Sequence, residues 1–286
     1  MDSTTGIILA ISLIIIMFGM GLSLTLGDFK RVFIFPKAII IGLCCQIIIL
    51  PLIGYTIATS LQLSPTIAIG VMLLAACPGG PTSNMLTFLA RGDLALSVSL
   101  TAVASVLTIF TIPLIVQFAV HEFSNQSQVV SVDALTMIKQ LTIIVLIPVT
   151  VGMWVKHKFD KFASRMEKPI KVASAIIFIL VVIGITYSIR AVFVSYLREA
   201  GLPAIILNIC TMTIGFLLAV LFKLNRKQAI SISIETGIQN GTLAITLATI
   251  ALNNAEFSIV PAVYGLLMYV SATVIILTRK SLGVKQ

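Results

Sequence analysis

The residues best placed to do chemistry in this 286-residue sequence form a short polar run, Glu235-Thr236-Gly237-Ile238-Gln239-Asn240-Gly241-Thr242, inside a long apolar segment. No other carboxylate lies so far from the end of an apolar segment, and a charge at membrane depth is costly unless it has a function. The two glycines give the backbone freedom to unwind, so that carbonyl groups can face a ligand. Glu235 is therefore the leading candidate for a functional residue.

A second polar interruption lies upstream, at Pro78-Gly79-Gly80-Pro81-Thr82-Ser83-Asn84, again inside a long apolar segment. Two interrupted spans, one in each half of a membrane protein, are the sequence pattern of a transporter binding site. Taken alone, Gly79-Gly80 would fit close helix packing equally well. The two interruptions and the buried carboxylate together favour the transporter interpretation.

Oxygen-bearing side chains near both interruptions suit a small hard cation such as sodium, which prefers about five or six oxygen ligands. On the segment after the first interruption, hydroxyls recur at i, i+4 and i+8 and therefore share one helix face. Such hydroxyls also commonly bond to their own helix, so taken singly they favour a structural role. As a set, the residues predict a first sodium site of Ser83, Asn84, Ser97, Thr101 and Glu235. A second site would use Gln46, Glu235, Gln239 and the carbonyls of Thr236 and Ile238.

Hydrophobic residues make up 58% and charged residues 10% of the sequence, which predicts an all-α polytopic membrane protein. The net charge is +9, and the basic residues lie between the apolar segments. This placement excludes a nucleic-acid partner and favours contact with membrane lipid. A helix needs about 20 apolar residues to cross the hydrocarbon. On this criterion we expect nine spans, A to I, at residues 5–26, 38–59, 66–90, 94–120, 135–155, 172–196, 202–222, 228–252 and 258–278, with C and H broken.

The basic residues predict the orientation of the chain in the cell inner (plasma) membrane. With the N-terminus outside and the C-terminus cytoplasmic, 16 of the 19 basic residues lie on the inner side, and only Lys139, Arg190 and Arg198 lie toward the outer side. Two connections are long. The outer one, His121–Ala134, is polar, and the inner one, Lys156–Lys171, is basic and is expected to lie against anionic lipid.

The two halves of the chain follow a similar pattern, which predicts an inverted repeat. The first repeat, residues 1–134, contains spans A–D with the broken helix at 66–90. The second, residues 135–286, contains spans E–I with the broken helix at 228–252. In each half the span before the broken one carries an amide, Gln46 or Asn208. The first repeat is one span shorter, so we expect it to lack its opening helix.

Several motifs together resemble those of the bile acid:sodium symporter family, over residues 11–275. They are Ile15-Ile16-Met17-Phe18-Gly19-Met20-Gly21-Leu22, Cys77-Pro78-Gly79-Gly80 with Ser83-Asn84, the run from Ala90-Arg91-Gly92-Asp93 to Thr101, and Glu235-Thr236-Gly237-Ile238-Gln239-Asn240. Family members commonly have Thr-Ala where this chain has Pro81-Thr82, and proline has no N–H to donate.

The resemblance implies a transporter fold with two crossed, discontinuous helices. A core domain would comprise spans B–D and G–I, and a panel domain spans A, E and F. The implied function is symport of an organic anion, bile-acid-like or a small carboxylate such as pantoate or a 2-oxo acid, with sodium by alternating access. Two Na⁺ ions would occupy the two sites above, with no other cofactor, and the substrate would face Pro81, Thr82 and Asn240. We expect a monomer.

Other classes of function make different demands on the sequence. A proton-coupled antiporter of similar architecture usually places paired aspartates at the crossing, and the two interruptions contain none. An efflux permease would use a thiolate, for which Cys77 is the one well-placed candidate. An intramembrane enzyme is disfavoured because His121 and His157 both lie near span ends and no HExxH motif occurs. A sensor that keeps the ion site without transporting remains an alternative.

Overall fold

A computed structural model describes residues 3–124, 133–188 and 193–278 of the chain. Within these ranges the regular structure is helical, apart from one antiparallel backbone bridge. The composition therefore predicted the structural class correctly. Part of the predicted outer connection, residues 125–132, lies outside the described ranges. So do four of the basic residues counted for the orientation, Arg190, Arg279, Lys280 and Lys285, and the side chains of two more, Lys168 and Lys171.

Twelve helical segments are described. They are α1 (Ser3–Ser23), α2 (Leu26–Lys30), α3 (Pro36–Ser60), α4 (Pro65–Ala76), α5 (Pro81–Leu89), α6 (Leu94–Phe123), α7 (Ala134–Lys158), α8 (Asp160–Ser188), α9 (Phe193–Leu221), α10 (Arg226–Gly237), α11 (Gly241–Ala251) and α12 (Ala255–Thr278). Short π-helical turns lie within α3, α7 and α11.

The helix lengths make the chain a multi-pass membrane protein. In the described part, α3, α6, α7, α12 and the Leu197–Leu221 portion of α9 are each long and apolar enough to cross a membrane. A sixth span arises if α1 and α2 are joined through the 72° bend between them. The expected count of nine would also include α8 and the two broken helices, and it stays a prediction.

Each interruption seen in the sequence separates two short helices. The first lies between α4, which ends at Ala76, and α5, which begins at Pro81. Proline lacks a backbone N–H but fits the first turn of a helix, where that N–H would have no helical partner. The second interruption lies between α10 and α11, and there the Asn240 side chain caps α11 by accepting a hydrogen bond from the Leu243 N–H at 3.0 Å.

The two interruptions lie against each other as a short antiparallel pair. Gly79 is bridged to Gln239. The Asn240 N–H donates to the Pro78 carbonyl at 2.9 Å, and the Gly80 N–H donates to the Ile238 carbonyl at 3.4 Å. Each break thus supplies backbone partners for the other, because neither can complete its own helical hydrogen bonds in an apolar interior.

The broken helices form the centre of the molecule. Every residue from Ile67 to Ala76 of α4 and from Ala229 to Gly237 of α10 is buried, as are residues 241–246. Long helices surround them, with α9 packed on α10 and α12, and α1 packed on α7 and α8. These outer helices expose large apolar side chains such as Leu202 and Ile209 of α9, as expected of surfaces that contact lipid.

Two helix boundaries differ from the sequence expectation. The connection predicted at 156–171 is largely helical, because only Phe159 separates the end of α7 at Lys158 from the start of α8 at Asp160. Asp160 lies in the first turn, where the helix dipole favours a carboxylate, and it also pairs with Lys156 at 2.7 Å. Likewise α9 begins at Phe193 rather than near residue 202. Hydropathy marks the end of the hydrocarbon, whereas a helix can continue into the polar layer.

A close contact between α1 and α7 leads to a test of the packing. A Cβ added to Gly152 would lie 2.4 Å from the Phe18 carbonyl oxygen and 2.9 Å from the Gly21 Cα. We expect Gly152→Ala to force the helices apart and to destabilise the protein by about 1–3 kcal/mol, measured as a lower Tm in detergent. Gly201→Ala is the control, because no atom lies within 4 Å of its added Cβ. Equal Tm values for the two variants would contradict this contact.

Candidate functional site

Glu235 lies where α10 approaches α5 and α6, and its carboxylate is surrounded by hydroxyl groups. Oε2 accepts from Ser83 Oγ at 2.7 Å and from Ser97 Oγ at 3.1 Å, and Oε1 accepts from Thr101 Oγ1 at 2.5 Å. The side chain is only 2% exposed. The ion pairs in the described part of the chain are Asp28–Arg31 and Lys156–Asp160, so no cationic side chain pairs with Glu235.

Asn84 completes this first cluster without touching the carboxylate. Its Oδ1 accepts from Ser97 Oγ at 2.9 Å and from Thr101 Oγ1 at 3.3 Å. The structure therefore brings together all five residues predicted for the first sodium site. They come from three helices, with Ser83 and Asn84 on α5, Ser97 and Thr101 on α6, and Glu235 on α10. Ser97 and Thr101 are four residues apart on α6, so both hydroxyls lie on the same face of the helix, as predicted.

Local structure positions each helix that contributes to the cluster. α5 begins only two residues before Ser83, so Ser83 and Asn84 lie in its first turn, next to the crossing of the breaks. Asp93 caps α6 by accepting from the Leu96 N–H at 3.1 Å, which sets the register of Ser97. Gly79 allows the first break to approach Glu235, because a Cβ there would lie 2.3 Å from Glu235 Oε1.

In the first cluster the hydroxyl groups make more close contacts with oxygen atoms than they have protons to donate. Ser83, Ser97 and Thr101 make seven hydroxyl contacts with acceptors in or beside the cluster, yet the three hydroxyls carry one proton each. Several oxygen pairs are therefore close together without a hydrogen between them. A cation bound among them would replace these contacts by favourable ones, and an all-oxygen set with one negative charge suits a hard cation.

A second cluster lies on the other side of the crossed breaks. Gln46 Nε2 donates to Gln239 Oε1 at 2.9 Å and to the Cys77 carbonyl at 2.7 Å, and Gln239 Nε2 donates to the Thr236 carbonyl at 2.7 Å. Gln46 lies in the π-helical turn of α3, a distortion that is frequent at functional sites. The structure thus joins Gln46, Gln239 and the Thr236 carbonyl.

Two residues predicted for the second site, Glu235 and Ile238, have partners outside this second cluster. The hydrogen bonds described for the Glu235 carboxylate all belong to the first cluster. The Ile238 carbonyl accepts the long 3.4 Å bond from Gly80 and so keeps some capacity for another partner. The Thr236 hydroxyl points away, toward the carbonyls of Ile232 and Thr211.

Two side chains make a polar contact behind the second break, and the sequence analysis identified only one of them. Asn208 Nδ2 and the Tyr264 hydroxyl both donate to the Gly237 carbonyl, each at 2.8 Å. Gly237 is the last residue of α10, so its carbonyl has no partner within the helix. Asn208 was noted as an amide in a span, but Tyr264 was missed. Its signal is a tyrosine in the middle of an apolar segment, where the hydroxyl needs a partner.

A cavity of about 360 Å³ opens beside the two breaks. All three residues predicted to face the substrate, Pro81, Thr82 and Asn240, line it. Tyr269, which the sequence analysis did not single out, also lines the cavity. The N-terminal ends of α5 and α11 meet at this cavity, since Gly80, Pro81, Asn240 and Gly241 all belong to its wall.

Comparison with known proteins yields one family and several relatives. Residues 10–196 match the Sodium Bile acid symporter family. The chain is 34% identical over 253 residues to the uncharacterized sodium-dependent transporter YocS of Bacillus subtilis (strain 168), covering 87% of this chain and 74% of that protein. It is 33% identical over 242 residues to the probable sodium/metabolite cotransporter BASS1, chloroplastic, of Arabidopsis thaliana, covering 84% and 58%.

A more distant relative covers more of the chain. The ileal sodium/bile acid cotransporter of Homo sapiens is 29% identical over 277 residues, covering 93% of this chain and 77% of that protein. The chain thus spans little more than half the length of the chloroplast relative and about three quarters of the other two. The family match covers more than half of the chain, so this protein belongs to the sodium bile acid symporter family, a family of transporters and not of enzymes.

Proposed function

We propose that this chain is a sodium-coupled symporter that imports an organic anion by alternating access. The observation that carries the proposal is the oxygen-rich first cluster, which holds a buried carboxylate with no cationic partner among the described residues. An unpaired charge at this depth is costly and marks an ion pathway. Family membership supports sodium as the ion.

In this proposal one sodium ion binds among Ser83, Asn84, Ser97, Thr101 and Glu235. A second binds beside Gln46, Glu235, Thr236, Ile238 and Gln239, where helix ends and freed carbonyls supply oxygens. The first ion would join α5, which follows one break, to α10, which precedes the other, and the second would join α3 to the residues at the second break. Sodium therefore neutralises Glu235 and ties the half-helices together, and each ion stabilises the arrangement that forms its site.

The substrate would bind in the 360 Å³ cavity. Two helix N-termini, of α5 and α11, contribute partial positive charge, which favours a carboxylate. The volume lies near the lower end of the range of about 300–1,000 Å³ for drug-sized ligands, so we favour a small carboxylate over a whole bile acid. Because Pro81 has no N–H, the contacts would come from Thr82 at the start of α5 and from Asn240 at the start of α11.

The architecture that we propose is an inverted repeat with core and panel domains. The hydrogen bonds between the breaks support it, because Pro78 and Gly80 pair with Asn240 and Ile238 in a reciprocal way. The amides preceding each break act alike, since Gln46 bonds to the Cys77 carbonyl and Asn208 to the Gly237 carbonyl. The core would comprise α3–α6 and α9–α12, and the panel α1, α7 and α8, giving nine spans.

Transport would follow from relative motion of core and panel. Sodium binding from outside favours an outward-open form, the anion enters the cavity between the domains, and the core then rocks against the panel. Low internal sodium releases the ions and the anion. We place the N-terminus outside and the C-terminus in the cytoplasm of the plasma membrane, in line with the distribution of basic residues. Efflux through Cys77 finds no support, because Cys77 does not line the 360 Å³ cavity.

Glu235→Gln tests the charge at the ion site. We expect sodium, compared with potassium at equal ionic strength, to raise the Tm of the wild type but not that of the variant, because the neutral amide removes the counter-charge for the cation. In potassium the variant should be at least as stable as the wild type, since an unpaired buried charge has been removed. Glu199→Gln, an exposed carboxylate, is the control. An unchanged sodium response in Glu235→Gln would overturn the ion site.

Thr101→Val tests a single hydroxyl ligand of the first site. Losing a ligand of a charged group costs about 1.5–3 kcal/mol, so we expect at least about a tenfold weaker apparent sodium affinity in uptake by proteoliposomes. Thr108→Val on the same helix is the matched control, because the Thr108 hydroxyl bonds within the helix to the Ser105 carbonyl at 3.3 Å. If both variants lose the same affinity, the effect is one of helix packing and not of ligation.

Gly79→Ala tests the close approach of the first break to Glu235. The added Cβ would lie 2.3 Å from Oε1 and 2.8 Å from Cδ of Glu235, so the carboxylate must move away from its hydroxyl partners. We expect sodium-stimulated uptake to be lost. Gly80→Ala, whose added Cβ meets nothing closer than 3.6 Å, should keep it. The idea fails if uptake by Gly79→Ala shows the wild-type dependence on sodium.

A further inference from the structure

A second, larger cavity lies on the lipid-facing side of the broken helix α10, away from the proposed substrate cavity. It measures about 610 Å³ and forms a groove between α9 and α12. Its wall is apolar, with Ile205, Ile209 and Leu217 from α9 and Val270 and Val274 from α12. These five side chains are between 42% and 63% exposed, so the groove opens sideways to the bilayer.

The groove is elongated along the helices. On α9 its wall extends from Ile205 to Leu217, which is about 18 Å at the rise of an α-helix. One leaflet of hydrocarbon is about 15 Å thick. The groove therefore extends about as far as one leaflet, from Asn208 beside the second break to Thr278 at the end of α12. This length suits an extended chain better than a compact solute.

Three cations lie at one end of the groove, in and beside the short connection between α9 and α10. Lys223, Arg226 and Lys227 are all exposed. The Arg226 guanidinium lies over the ring of Phe216, 5.8 Å from its centroid, and Phe216 is itself part of the groove wall. None of the three cations forms an ion pair with a residue in the described ranges.

We propose that this groove binds one anionic phospholipid, with an acyl chain along α9 and α12 and the phosphate on Arg226, Lys223 and Lys227. A basic rim above an apolar slot between transmembrane helices is the arrangement that recognises anionic headgroups. The cations lie on the side that we assign to the cytoplasm, where anionic lipids contribute a negative surface. A zwitterionic lipid with the same chains would fill the slot but satisfy the cations less well.

The floor of the groove connects the lipid to the second break. Asn208, which holds the Gly237 carbonyl, lines the groove together with Met212 and Ser233. The Ser233 hydroxyl donates to the Met212 carbonyl at 2.8 Å and so joins α10 to α9. An acyl chain in the groove would pack against this joint from the bilayer side, and lipid binding is therefore expected to stabilise the fold.

The test uses the full-length protein, stripped of lipid in detergent and supplied with phosphatidylglycerol or phosphatidylcholine of identical acyl chains. Native mass spectrometry would count bound lipid, and thermal unfolding would measure stabilisation. We expect one retained phosphatidylglycerol and a larger Tm increase than with phosphatidylcholine. The preference should fall as salt is raised, because exposed charges are screened.

Two variants separate headgroup from chain. Replacing Lys223, Arg226 and Lys227 by Gln should abolish the preference for one retained phosphatidylglycerol. The same replacement of Lys158, Lys161 and Arg165 should preserve it, because these exposed cations, although expected to lie against anionic lipid, belong to α7 and α8, which contribute no described residue to the wall of the groove. Val270→Trp fills the groove and should reduce retention of both lipids. The proposal is overturned if the control triple variant loses the preference equally, if the Val270 variant retains lipid normally, or if glycerol phosphate without acyl chains stabilises as well as the lipid.

Discussion

The structure depends on one unpaired buried carboxylate. Glu235 lies at the centre of the helical bundle with hydroxyls and an amide around it and no cationic side chain of the described residues against it. Burying a charge in this way costs more than any of its hydrogen bonds returns, so the carboxylate requires a compensating partner, which we propose is an ion. The hydroxyls of α5 and α6 and the backbone at the breaks are arranged around that requirement.

The crossing of the two broken helices provides hydrogen-bond partners for the backbone groups that the breaks leave unpaired. Unwinding a helix inside a membrane exposes backbone groups that hydrocarbon cannot satisfy. Here the two breaks satisfy each other through the Pro78, Gly80, Ile238 and Asn240 backbone, while the Gln46 and Asn208 amides take the remaining carbonyls at Cys77 and Gly237. The same contacts fix the ends of four half-helices beside the first cluster and the 360 Å³ cavity.

The long helices around this centre separate two kinds of surface. Between α1, α5, α11 and α12 lies the cavity with helix N-termini, which suits an anion from water. Behind α10 lies the apolar groove with a basic rim, which suits an anion from the bilayer. Both surfaces would favour a negative charge, but of the two only the groove has an apolar wall about as long as one leaflet. The broken helix α10 lies between the two, and its contacts face both sides.

The amino-acid sequence by itself determined the all-helical membrane class, both helix breaks and the five residues of the first cluster, because hydropathy, proline and glycine placement and fourth-residue spacing are local properties. Tertiary structure alone decided where helices continue past the hydrocarbon, as at Asp160 and Phe193, since hydropathy does not report helix ends. It also decided that Tyr264 reaches Gly237, and that α9 and α12 leave a groove, because such contacts join segments far apart in the chain.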